Sequence, residues 1–171
     1  MTTPSGLPGE HQMDVGDAVR ALATIARHRD LVRANVQRLT QELERRAIVH
    51  DASKLSVDEV EGFVRINAAA RAHPYGSPEY VASMDSEKGP GGCITLHYAR
   101  NSHHPEHHDC AAKMGFLDII EMVLDWKAAS DGYGKMTLRG SLPVHRGRFM
   151  FTTAQWWLIE QVVDFIEPEA L

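Results

Sequence analysis

An all-α bundle of five to seven helices is the fold the sequence predicts, and three observations predict it. Apolar residues recur at steps of three and four in each long apolar segment. No segment alternates apolar and polar residues as a half-buried strand would. Pro and Gly fall between the periodic segments, and no internal repeat is present. The 171 residues, 43% hydrophobic and 24% charged, suffice for one domain with a sizeable core.

Residues 1–13 hold Pro, Gly, Ser and Thr and read as a loose N-terminal arm, with a single helical domain over 14–171. From Asp14 a helical period sets in, carried by Val15, Val19, Leu22, Ile25, Val32, Val36, Leu39 and Leu43. His28 stands four residues before Val32 and is expected on the same buried stripe. In "VHDASKLSVDEVEGFV", Ser56 and Glu59 have capping-box spacing, so a helix is expected from near Val57. Ser77 followed by Pro78 marks another start, and "EKGPGG" is a break. Cys93 to Asn101 reads as helix, which Pro105 interrupts. Gly115 to Ser130 is a helix with a broad apolar face, "SDGYGKMTLRGSLPVHRGRF" a long loop, and Thr153 to Ile166 a last helix.

A net charge of −5 argues against non-specific nucleic-acid binding, which needs a cationic face. Two cysteines outside any C-x-x-C pair imply neither a disulfide framework nor a cysteine zinc site. The opening residues lack the cationic start and apolar run of a signal peptide, and no apolar stretch has membrane-spanning length. A cytoplasmic protein with no membrane partner is expected, and a homodimer is left open.

Ten histidines stand in the chain, four of them in "NSHHPEHHD". Metal-ligand residue types occur at four places: His28; the pair His50 and Asp51; the cluster His97, His103, His104, His107 and His108; and the strip Asp118, Glu121 and Asp125 at i, i+3 and i+7. Each has a plain alternative. A lone His on an apolar stripe is usually a core residue, a His-Asp pair at a helix boundary is usually capping chemistry, and an acidic strip is usually solvated. Together they offer nitrogen and carboxylate donors on separate helices, the donor mix of catalytic metal sites. His97 and His104 are seven apart and share a face if the helix runs through.

The order His, His-Asp, His cluster, Asp resembles the HD-domain superfamily of all-α, metal-dependent phosphohydrolases. "HDASK" looks like its His-Asp-x-x-Lys form, and His28, His50, Asp51 and Asp125 match its four core ligands. The His-His-x-Glu run in "HHPEHH" is similar to the HD-GYP branch, where extra histidines hold a second metal; the Gly-Tyr-Pro of that branch is missing. "HDASKL", "YGSPEY", "HYARNSHHPEHH" and "DIIEMVLDWKAAS" also resemble, in this order, a family of small phage and bacterial proteins of unassigned function. That likeness runs from about Arg27 to Phe149.

The resemblance implies one or two divalent transition-metal ions, with Mn, Fe, Zn, Co and Ni equally open, and a small phosphate substrate such as a nucleotide. His97 and His104, with His103 close behind, are the expected ligands of a second ion. Lys54 would contact phosphate, and Glu106 or Glu121 would orient a ligating His or a water. His107 would face the substrate. Lys127, Lys135, Arg139, Arg146 and Arg148 would form a phosphate-binding rim, their plainer reading being solvated charge. Two alternatives stand beside hydrolysis: an HD-fold di-iron oxygenase, and a non-catalytic protein that keeps the metal for stability.

Overall fold

The computed structural model describes residues 14–73, 77–134 and 136–168. The expected N-terminal arm and Lys135 lie outside them. The described residues form seven α-helices and no strand: α1 (Val15–Val49), α2 (Val60–Ala72), α3 (Pro78–Ser86), α4 (Cys93–Arg100), α5 (Phe116–Tyr133), α6 (Leu138–Arg148) and α7 (Thr153–Ile166). The fold is all-α, as the periodicity predicts.

The chain divides into two compact units inside α1, Met1–Glu44 and Arg45–Leu171, where the sequence reads as one domain. In the first unit, α1 corrects one expectation. It has no buried residue, and the stripe expected to face a core is exposed, from 77% at Val15 to 42% at Leu39. His28 is exposed with it. Periodicity shows that a helix has an apolar face; it does not show what covers that face.

The second unit has two cores. Ile119, Met122 and Val123 of α5 pack with Leu138 and Leu142 of α6 and with Trp156, Ile159 and Val163 of α7. Ile66 of α2 packs with Cys93 and Ile94 of α4, flanked by Phe63, Met84 and Tyr98. α2 and α4 meet closely at Gly62, where an added Cβ would stand 2.5 Å from the Cys93 sulfur. Cys93 and Cys110 are both free.

Local chemistry sets most of the ends. Ser77 Oγ accepts from Tyr80 N–H at 3.3 Å, with Pro78 in the first turn of α3. Thr152 and Gln155 form a capping box at the start of α7, and the Gln155 amide also donates to the carbonyls of Ala111 and Met114, tying that start to the segment before α5. α5 runs to Tyr133 and stops at Gly134, which takes a left-handed φ of 61°.

Two boundaries differ from expectation. The stretch read as a long loop contains α6, opened by Thr137, whose hydroxyl accepts from Gly140 N–H. Gly140, Pro143 and Gly147 hid it, since each argues against helix, and only Leu138 and Leu142 are buried. Ser56 and Glu59 do not close a capping box. A 3₁₀ turn over Ala52–Leu55 comes first, α2 starts at Val60, and Glu59 turns inward.

Candidate metal centre

The His-Asp pair leaves the end of α1 and enters the 3₁₀ turn. Asp51 has φ 56°, the only non-glycine positive φ among the described residues. Left-handed backbone costs an L-residue energy, less for Asp than for most. Its side chain makes no capping hydrogen bond, so the plain reading of Asp51 as an N-cap does not hold. The carboxylate points instead at the histidine cluster. Oδ1 lies 3.1 Å from His97 Nε2 and 3.4 Å from His103 Nε2, and Oδ2 lies 3.6 Å from His50 Nε2.

α4 ends at Arg100, so His97 and His104 do not share one helix. The turn after Asn101 brings them together anyway, Nε2 to Nε2 at 3.0 Å. The same turn aims the His103 ring at Asp51, and α5 supplies Asp125, with Oδ1 3.5 Å from His50 Nε2. Two overlapping groups result: Asp51, His97, His103 and His104, and His50, His103 and Asp125. In each, the donor atoms lie within 4.8 Å of one another.

The hydrogen bonds behind the rings decide which nitrogens face inward. Glu121 Oε1 sits 3.0 Å from His50 Nδ1 and 3.3 Å from His103 Nδ1. Glu59 Oε2 sits 3.2 Å from His97 Nδ1. A carboxylate accepts only, so a ring that ligated through Nε2 would donate its Nδ1–H to the glutamate behind it. Glu121 is held in turn by Arg46, which also pairs with Asp118. Glu59, 0% exposed, is held by Ser53 Oγ and Arg100.

Electrostatics follow from this crowding. Asp125 comes first among the groups that raise His50, to about 9; burial opposes, and Glu121 and Asp51 add to the rise. Burial alone would raise Asp51, but attraction to His103, His97 and Lys54 holds its carboxyl far below the ordinary range. His104 is pushed down to about 3 by burial and by its neighbours His103 and His97. Burial again opposes, but His50 holds Asp125 low.

The donor set fits a divalent metal. Asp51 Oδ1 and His103 Nε2 are buried and facing each other, and neither has a hydrogen-bond partner. Buried polar atoms without partners are costly, and a cation between them would satisfy both. His50, Asp51 and Asp125 with His97, His103 and His104 are the residues that would hold one ion or two.

A pH prediction follows. Ligation at Nε2 must displace the extra proton of His50, so affinity for Zn²⁺ should rise from pH 6 to its folded pKa of about 9. Metal-free protein should follow the opposite linkage: this raised pKa contributes stability below 6.5 that is expected to be lost as pH climbs through about 9. Calorimetric titration in buffers of different ionisation enthalpy reads the proton release, and an affinity independent of pH excludes His50 as a ligand.

The other expected residues are placed as follows. His28 belongs to neither donor group, and His103 contributes to both. Glu121 stands behind His50 and His103, whereas Glu106 pairs with Arg148 at 2.6 Å. Lys54 Nζ is 2.5 Å from Asp51 Oδ2, beside the donors and partly exposed. His107 is exposed, with Nδ1 3.0 Å from the Tyr98 carbonyl. The expected cationic rim is paired with carboxylates: Lys127 with Asp131, Arg139 with Asp164, and Arg146 with Glu160. Glu59 was missed. Its signal was its phase, because Glu59 shares the buried face of α2 with Gly62 and Ile66.

Fold and site together define an all-helical protein with a buried His–carboxylate cluster of metal-ligand character. Residues 18–170 match a family of unknown function, DUF5662, and the chain belongs to it. Comparison with curated proteins and with solved structures gives no match. Among the described residues, no helix is long and apolar enough to cross a membrane.

Proposed function

We propose that this protein is a metal-dependent phosphohydrolase acting on a nucleotide or a related phosphate ester. The observation that carries the reading is the convergence of Asp51 with His50, His97, His103, His104 and Asp125, where two buried atoms, Asp51 Oδ1 and His103 Nε2, have no hydrogen-bond partner. The resemblance of "HDASK" and of the His, His-Asp, His cluster, Asp order to HD-domain enzymes supports it. A divalent ion bound there supplies hydroxide near neutral pH and offsets charge on phosphoryl oxygens. Glu121 and Glu59 keep the histidines in the ligating tautomer. Lys54, the cation against Asp51 and partly exposed, would meet a substrate phosphate in this reading.

The test is metal content of protein purified without chelators, then phosphate release over a nucleotide panel with Mn, Fe, Zn, Co or Ni restored. Turnover that chelation removes and one of these ions restores is the expected result. Iron with oxygen uptake and no phosphate release would replace the reading by the oxygenase. Bound metal without turnover on any phosphate ester would leave a metal-stabilised binding protein.

A further inference from the structure

We propose that residues 15–43 of α1 form an antiparallel two-stranded coiled coil with the same segment of a second copy of this chain. The inference is independent of the metal site. From Val15 to Leu43, counting alternately three and four residues, every position is apolar except Arg29. That alternation is the heptad seam of a coiled coil, narrower and more regular than the apolar face of an ordinary surface helix. The seam is exposed in the chain, by 66% at Leu22, 55% at Ile25 and 57% at Val36. A single uncovered helix is marginal in water, and a contiguous exposed apolar seam marks an association surface.

Length points to the occupant. The seam runs roughly 40 Å at about 1.5 Å per residue. Among the described residues the next longest helix is α5, with 18 residues against 35 in α1. The helix that matches the seam over its full length is another α1.

Arg29 selects the orientation. A parallel in-register pair would stack Arg29 on its own copy in one layer, bringing two guanidinium groups together in an apolar seam. The antiparallel pair sets Leu22 against Leu39, Ile25 against Val36, Ala18 against Leu43, and Arg29 against Val32. Every layer then has an apolar residue on at least one side, and the arginine stem lies along Val32 with its charge reaching water.

Sedimentation of the full chain tests the association. The expected species has twice the 19.1 kDa of one chain. Ile25→Glu with Val36→Glu places facing carboxylates in the seam and should raise the dissociation constant at least roughly 100-fold. Metal content should stay at the wild-type value. Cysteine cross-linking reads the orientation in a Cys110→Ser background, since Cys110 is exposed and Cys93 buried. Leu22→Cys together with Leu39→Cys should give a disulfide-linked dimer, and either change alone should not. A monomer at every concentration overturns the proposal, as does a dimer that the paired Glu changes leave intact. Cross-linking through Leu22→Cys alone overturns the antiparallel arrangement. Because the cysteine variants keep the seam largely apolar, they remain informative if the charged variant loses helix.

Discussion

Asp51→Asn is expected to abolish metal binding while leaving the helices in place. Asp51 is the carboxylate that faces His50, His97 and His103 together, at 3.6, 3.1 and 3.4 Å. Asn is nearly isosteric and tolerates the left-handed backbone found at φ 56°, so the turn into Ala52–Leu55 should survive. What it removes is the negative charge between histidines, and its amide would aim donor hydrogens where a cation would sit. The loss of affinity should exceed the roughly 10–100-fold typical of residues that act behind a ligand. Elemental analysis and circular dichroism check both halves. Wild-type metal content in the Asn variant would remove Asp51 from the ligand set, and a collapsed helical signal would make its role structural. If the phosphohydrolase reading holds, phosphate release disappears with the metal.

The parts of this centre that could be read from sequence are those in which residue type and local spacing suffice. Asp118, Glu121 and Asp125 share one side of a helix by arithmetic, and the structure turns that side to Arg46 and His50 and not to solvent. His50 and Asp51 are adjacent, and any fold that buries one holds the other nearby. His97 and His104 were singled out by a seven-residue step on one helix. They meet by another route, through the turn that follows Arg100. His28 shows the converse. Its place on an apolar stripe was legible, but burial depends on which surface the stripe meets, and that is not a local property. The cations of the long loop failed similarly. Lys127, Arg139 and Arg146 are basic in sequence, while their charge is engaged by Asp131, Asp164 and Glu160, partners four to twenty-five residues away. Helix α6 was hidden because helix-breaking residue types outweighed a single pair of buried leucines, Leu138 and Leu142.

Glu59 carries the last expectation, because it was read as a helix cap and stands as a buried carboxylate behind His97. Two variants separate its roles. Glu59→Gln keeps the volume and one acceptor oxygen, which Arg100 can still reach from 2.9 Å. The new amide would donate toward Ser53 Oγ or His97 Nδ1, groups that now face an acceptor at 2.9 and 3.2 Å. A donor at Nδ1 forces the His97 proton onto Nε2, the nitrogen 3.1 Å from Asp51, and a protonated nitrogen cannot ligate. Metal affinity should therefore fall about 10–100-fold with only a small change in melting temperature. Glu59→Ala goes further. It leaves Ser53 and Arg100 without their buried acceptor and opens a void, at a cost of about 2–3 kcal/mol, discounted because Arg100 keeps Asp58 at 2.7 Å in water. Nitrogen chemical shifts of the His97 ring report the tautomer directly. If Glu59→Gln left the proton on Nδ1 and the metal affinity at the wild-type value, Glu59 would be a stability residue only, and the acceptor of the Nδ1 proton would be Ser53 Oγ, 3.0 Å from the same nitrogen.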